Sequence, residues 1–417
     1  MTDVSAARTT PFWLPASHFA AGLFSLTAAA LLLPTAVPDL VAGRFLQPRL
    51  VAITHLITLG WLTLSIMGAL CQLFPVVLGT PLRWIKLAAF TLVLYLPGVL
   101  VFAGGLLSGS NTLVIVGAVV FASALVLFLV NAVATLWRAR SKRDFTWWTL
   151  AGAFFFLAAT ITFGISLAIN LSSAHLADRL TALAVHMHVA LGGWVLLVIM
   201  AVGRRLLPMF LLSHGTHELP LRVAVIANGT GALLLTLFHG YMTRPVFVIG
   251  VALMGVGTIA LGVQVVGYLR KRHRPRLDAG LRLVLAGGVL VVFAIALGVV
   301  LLVTDAPMQF VAGYGVAVVG GLALFVAGHY YKILPFLLWN HRYAPLVGKR
   351  PLPKIAELFN ARIANVAGAA STAGMFLLVL GTLAQSRPLV LLATLLFACG
   401  VLIEAAQLLK LLQLRPA

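Results

Sequence analysis

The stretch His55-LITLGWLTLSIMGALCQLF-Pro75 decides the fold. Nineteen residues between the histidine and the proline carry no charge. A run of about 20 apolar residues is what a helix needs to cross the hydrocarbon of a bilayer. Two more stretches share the pattern. One reads His188-VALGGWVLLVIMAVGRRLL-Pro208 and the other Gly315-VAVVGGLALFVAGHYYKIL-Pro335. Each begins 20 positions before its proline, and each has glycine five positions in: Gly60, Gly193 and Gly320. The next position is Trp61, Trp194 and then Gly321, and twelve positions in stand Met67, Met200 and Ala327.

The first residues of these stretches are 133 and 127 positions apart, which is four spans each time. A fixed period marks a repeated unit. Four is even, so the copies keep one membrane orientation and are related by an axis along the membrane normal, unlike an inverted repeat. The shared glycine removes a side chain where membrane helices approach closely. The chain therefore reads as a single membrane domain over 1–417, with pseudo-repeats at about 1–137, 138–269 and 270–417.

Working outward, apolar runs separated by charged or Pro/Gly-rich breaks predict twelve helices. They cover 17–37, 51–76, 85–106, 112–137, 147–170, 181–207, 222–240, 245–269, 280–304, 308–334, 362–384 and 388–411. The stretch at roughly 335–361 is the one long loop, basic and proline-punctuated, expected at headgroup level. With the N-terminus inside, 24 of the 29 Lys and Arg fall on the inner side and 5 on the outer. Cytoplasmic loops are enriched in basic residues, so this split supports twelve spans with both termini inside, independently of hydropathy. The run Phe19 to Val37 reads as a first span rather than a signal peptide. The fold class is all-α and polytopic. The expected surroundings are the lipid bilayer of a bacterial-type cytoplasmic membrane.

Composition agrees. Hydrophobic residues make up 62% and charged residues 9%, with a mean hydropathy of +1.09. A water-soluble domain cannot hide so much apolar surface. The formal charge of +20 would suggest nucleic acid, but the basic residues sit in short clusters between apolar runs, so nucleic acid is excluded as a partner. Cys71 and Cys399 both fall in apolar runs and lack CxxC spacing, which argues against a disulfide framework or a cysteine metal motif.

Eleven histidines need placing. His214, His217, His273 and His341 fall in inner loops, and His18 and His329 near inner helix ends; these six read as solvated or headgroup-level. His175 falls in an outer loop. His55, His186 and His188 lie a few residues into their spans from the outer side, and His239 ends the seventh span there. Ionisable residues inside a membrane are costly and usually face the protein interior, and imidazole suits copper, zinc and iron. These four imidazoles are the candidate ligands. His186 and His188 point about 200° apart in a regular helix. Both can reach one metal only if the helix is irregular there; otherwise one serves the metal and the other a second site or the outer shell.

On these residues the chain resembles the catalytic subunit of heme–copper oxidases and the related nitric oxide reductases, which have twelve spans with threefold pseudo-symmetry. The stretch Pro48 to Pro75 is similar to that family's second helix, and the resemblance implies His55 as a heme ligand. The stretch His188 to Pro208 is similar to its sixth, especially in the C-type oxidases, and implies a copper-ligating His188. Phe238-His239 stands where the family has a histidine pair on helix seven, with one histidine present. His188 and His239, with His186 as an alternative, are the implied copper set. The chain departs at the tenth span. Gly313-Tyr314-Gly315 stands where the family carries His-x-His, and neither glycine can ligate. The NnrS group, twelve-span proteins associated with heme, copper and nitric oxide stress, is similar too, through the histidine-rich sixth span with Arg204-Arg205 and Ser213-His214-Gly215.

The resemblance implies heme or copper as cofactors, respiratory or redox proteins as partners, and a role in respiratory, nitric oxide or metal-handling physiology. Whether the protein is an active oxidoreductase stays open, because the tenth-span ligands are missing. A proton route would draw on Gln72, Asn131, Asn170, Asn228, Gln264 and Glu404, the last expected to snorkel to water at an inner helix end. The alternative is a permease for a small solute or a metal.

Overall fold

The computed structural model describes residues 10–274 and 276–414, with the Lys142 side chain excepted. Arg8 and Arg415, counted above with the inner charges, lie outside these residues. Twelve helices are long and apolar enough to cross a membrane. We number them α1 Trp13–Val41, α2 Pro48–Leu78, α3 Ile85–Ser108, α4 Asn111–Arg138, α5 Phe145–Ser173 and α6 Arg179–Leu211. The series continues with α7 Leu219–Leu237, α8 Arg244–Arg270, α9 Ala279–Val303, α10 Met308–Arg342, α11 Ala361–Leu383 and α12 Arg387–Gln413. Among the described residues there is no strand, only an isolated bridge between Ser213 and Arg272. The chain is an all-α, multi-pass membrane protein.

Helix starts follow local chemistry. The Ser110, Asp144, Asp178, Asp278 and Asn360 side chains accept first-turn backbone N–H groups at the starts of α4, α5, α6, α9 and α11, which satisfies donors that a helix start leaves orphaned. Pro48 and Pro388 sit in the first turns of α2 and α12, where a missing N–H costs nothing.

The prolines at the other ends behave differently from the expectation. Pro75, Pro208 and Pro335 lie inside their helices. α2 and α6 each run three residues past the proline, and α10 runs on to Arg342. The predicted loop at 335–361 is thus shorter, and Phe336 to Arg342 is helical. A proline removes one bond to the preceding turn and leaves the following turn free to form. His341 belongs to that last turn and stacks on Phe12, with centroids 5.4 Å apart and planes 13° apart.

By internal contacts the chain forms two compact units. The mid-chain unit holds Thr10 and residues 69–274, so it contains the end of α2 and all of α3 to α8. The terminal unit holds 11–68 and 276–414, namely α1, most of α2, and α9 to α12. Each is built from helical hairpins that pack through small residues, as membrane helices do in the absence of a hydrophobic drive between them. In the terminal unit, a Cβ on Gly287 of α9 would lie 2.3 Å from the Gly321 carbonyl of α10, so only glycine admits this approach.

The three spans that share a pattern are the most enclosed. Of their apolar windows 72%, 67% and 56% are buried in α2, α6 and α10, above every other span. The register glycines do what their spacing suggests. A Cβ at Gly60 would lie 2.5 Å from the Ser25 Cβ of α1, at Gly193 2.8 Å from the Phe156 ring of α5, and at Gly320 2.7 Å from the Met375 sulfur of α11.

Candidate functional site

α2 and α6 change character directly after their histidines. α2 is α-helical over Pro48–His55 and π-helical over Leu56–Thr63. α6 is α-helical over Arg179–His188 and π-helical over Val189–Leu196. Each π segment is eight residues long and begins one residue after the histidine. α10 is α-helical throughout, and at its register position stands Gly315. The histidine and the widened turn therefore occur together in two spans and are absent together from the third. A π turn widens the helix by one residue and shifts the backbone bonds from i−4 to i−5, and such turns are frequent at functional sites.

The wide turns have named supports. In the mid-chain unit the buried Asn228 amide of α7 donates to the Gly192 carbonyl inside the π segment, at 2.6 Å. In the terminal unit Thr58 and Thr63 return hydroxyl bonds to the carbonyls of Thr54 and Thr58. Trp61 is fully buried and its indole N–H donates to the Ala323 carbonyl of α10 at 3.3 Å. Asn228, a proton-route candidate by its place in the span, satisfies a carbonyl of the π segment instead.

His55 and His188 are held alike. The Nδ1 of His55 bonds the Val51 carbonyl at 2.7 Å, and that of His188 bonds the Ala184 carbonyl at 2.7 Å. A carbonyl only accepts, so Nδ1 carries the proton and Nε2 carries the lone pair. This is the tautomer and the anchoring that ligating histidines use. Both side chains are half-buried.

The other two candidates pack on α5. His239 stacks on Phe163, with centroids 4.2 Å apart and planes 8° apart. His186 lies over the neighbouring Gly164, whose Cβ would be 3.1 Å from the His186 Cε1. His188 instead meets Phe247 of α8 edge-on at 5.8 Å. α6 is regular at 186–188, so the pair diverges as the helical period requires. His239 sits in a short turn beyond α7, and burial holds its imidazole below its usual pKa. That favours the neutral ring a metal needs. Asp178, just before α6, is held below the usual carboxylate range by the Thr181 hydroxyl and N–H.

Three of the four candidates, His186, His188 and His239, thus belong to the mid-chain unit, and His55 to the terminal unit. Among the described residues no group of three or more His, Cys, Asp or Glu is arranged to hold a metal ion. The donor set here suits ligation by single imidazoles better than a three-histidine copper centre.

Two histidines depart from expectation. His18 is buried, 1% exposed, and its Nδ1 bonds the Leu14 carbonyl at 2.8 Å. His329 is half-buried and its Nδ1 bonds the Phe325 carbonyl at 2.8 Å. Both read as headgroup-level from their place near helix ends. Packing decided otherwise: Gly68 of α2 leaves room for His18 alone, since a Cβ there would lie 2.7 Å from the His18 Cβ. A backbone carbonyl one turn back exists for every helical histidine, so no sequence signal distinguishes these two. Tyr314, at the register of the missing His-x-His, lays its ring edge on Gly298 of α9.

Fold and site together define a polytopic helical membrane protein with carbonyl-anchored histidines at two widened helical turns. No protein-family model matches the chain, and no curated protein is significantly similar to it.

Proposed function

We propose that the chain is a heme- or copper-binding membrane protein of the heme–copper-oxidase type, ligating through His55 and His188. The observation that carries this reading is the paired arrangement of an anchored imidazole and an adjoining π turn, found twice in equivalent register. Heme fits best, because single imidazoles such as His55 and His188 would suffice to hold it. When bound, heme supplies one-electron chemistry. The chain's own residues hold the Nδ1–H tautomer, which leaves the Nε2 lone pair for the ligand, and orient the rings. His186 and His239 are the further imidazoles for copper, each offered singly from the face of α5. The setting is a bacterial-type cytoplasmic membrane, with respiratory or other redox proteins as partners and respiratory, nitric oxide or metal-handling physiology as the role.

An absorbance spectrum with elemental analysis of the purified protein tests this. A Soret band with iron is expected, and His55→Ala and His188→Ala should each lower the bound heme. Copper without iron would move the reading to bare copper sites. Unchanged iron and copper in both variants would overturn it. The second reading, a permease for a small solute or metal, draws on one observation, the buried carboxyl of Glu404, because ionisable residues inside a membrane mark ion and solute pathways.

A further inference from the structure

Six polar side chains inside the spans were candidates for moving protons, and the structure accounts for most of them by backbone bonds. Asn131 both accepts from the Trp84 N–H at 3.1 Å and donates to the Trp84 carbonyl at 2.9 Å. Asn170 accepts from the Leu176 N–H at 2.8 Å. Asn228 donates to the Gly192 carbonyl, and Gln264 accepts from the Leu221 N–H at 3.2 Å. These amides lock helices to loops or to one another.

Glu404 of α12 is different. It is 1% exposed, so the expected snorkelling to water does not occur. Its Oε1 has no hydrogen-bond partner among the described residues. The same holds for five other buried oxygens of the terminal unit: the Tyr331 hydroxyl of α10, the Asn365 Oδ1 and the Ser371 and Thr382 hydroxyls of α11, and the Gln407 Oε1 one turn along α12. Gly400, one turn before Glu404, brings α12 against α11 so closely that a Cβ there would lie 2.3 Å from the Ser371 Oγ. Tyr330 and Tyr331 are both within electrostatic range of the Glu404 carboxyl.

The charged and titratable groups on the elements packed against α12 are committed elsewhere or lie at the ends. On α10, Tyr330 bonds Ser65 at 2.7 Å and the Phe19 carbonyl at 3.2 Å. Lys332 is ion-paired with Asp278, His329 is anchored on Phe325, and Arg342 donates to the Leu412 and Leu414 carbonyls. On α1, His18 is tied to Leu14 and Asp39 is paired with Arg44 at 2.7 Å. α11 contributes Arg362, exposed at its start, and α12 itself carries Arg387 and Lys410, exposed near its two ends. No protein cation balances a carboxylate at this position among the described residues. A carboxylate buried this deeply, with one oxygen unsatisfied and no balancing cation, is strongly disfavoured, and such a group takes a proton instead.

We propose that Glu404 is a proton-binding site inside the terminal unit. Its carboxyl rests as the neutral acid and exchanges one proton, COOH ⇌ COO⁻ + H⁺. A proton suits the site better than a metal ion. One carboxyl stands among hydroxyl and amide oxygens, and no cluster of metal-ligating side chains accompanies it. The assignment does not depend on heme or copper being bound.

The test uses the full-length protein in detergent or nanodiscs. Dicyclohexylcarbodiimide, an apolar reagent that attacks protonated carboxyls, should label Glu404 at neutral pH, located by mass spectrometry of peptides. Labelling should fall about tenfold per pH unit above the titration point, and Glu404→Gln should abolish it. The infrared spectrum should show a protonated-carboxyl carbonyl band that Glu404→Gln removes. Absence of both label and band in the wild-type protein would overturn the proposal. Protection of Glu404 from label by excess sodium at constant pH would also overturn it, in favour of a metal-cation site. Neither outcome depends on the variant folding.

Discussion

His55 and His188 show how much a single backbone bond can settle. Each imidazole surrenders its Nδ1–H to the carbonyl one turn back, and the ring is left in one tautomer and one orientation. An alanine at either position removes the imidazole and keeps the helix, since alanine is the best helix former. Loss of bound cofactor with an unchanged far-ultraviolet circular dichroism spectrum is the expected result. The register glycines work at the same scale by absence. Leucine at Gly60 would drive a side chain into Ser25 of α1, and at Gly193 into Phe156 of α5. Overpacking of this kind costs about 1–3 kcal/mol and sometimes more. Gly60→Leu and Gly193→Leu should therefore lower the thermal unfolding midpoint in detergent. Leucine at Gly229, where nothing lies within 4 Å, should leave it nearly unchanged. The position five after each histidine is the part of this that the residue pattern revealed. The buried setting of His18 and the Asn228 amide bond to the Gly192 carbonyl were not legible, because both are set by residues far away in the chain.

At the scale of the element, the π segments of α2 and α6 are the informative feature. Deleting one residue within Leu56–Thr63 should return α2 to a regular helix and rotate His55 by about 100° relative to the inner half of the span. We expect the protein to remain helical and to lose cofactor bound at His55, read from the absorbance spectrum. Retained binding would show that the wide turn does not position the ring. Asn228 belongs to the same argument. Asn228→Leu leaves the Gly192 carbonyl without its 2.6 Å donor, and intramembrane bonds of this sort contribute about 0.6–2 kcal/mol. A lowered unfolding midpoint is the outcome to measure. α10 gives the internal comparison: it shares the glycine register and the proline, yet it has glycine, Gly315, at the register position of the histidine and no π turn.

For the whole molecule, the arrangement of Lys and Arg is the testable property. The loop between α10 and α11 carries Lys349, Arg350 and Lys354, whereas the turn between α11 and α12 carries no basic residue before Arg387. In a chain whose Cys71 and Cys399 are replaced by alanine, Lys349→Cys should be modified by a membrane-impermeant thiol reagent only from the cytoplasmic side. Ala384→Cys should be modified only from the opposite side. The same side for both would contradict twelve crossings, since α11 must separate them. Both natural cysteines are free, so their replacement breaks no disulfide.

Twelve apolar helices and most of their limits to within a few residues were determined by the sequence alone, and the sidedness of the loops is its expectation. Their physical causes, hydropathy over a span and the free energy of moving charge through a bilayer, are local and additive along the chain. The spans rich in shared pattern could be picked out for the same reason, since a glycine at a close approach leaves a fixed mark. Tertiary structure alone decided where α10 stops, which helices form each compact unit, and that α2 and α6 widen after their histidines. It also decided that Asn228 serves a carbonyl while Glu404 is enclosed with its Oε1 unsatisfied among the described residues. These depend on which groups a fold brings together, and a buried polar atom is satisfied or left unsatisfied by neighbours far away in the chain.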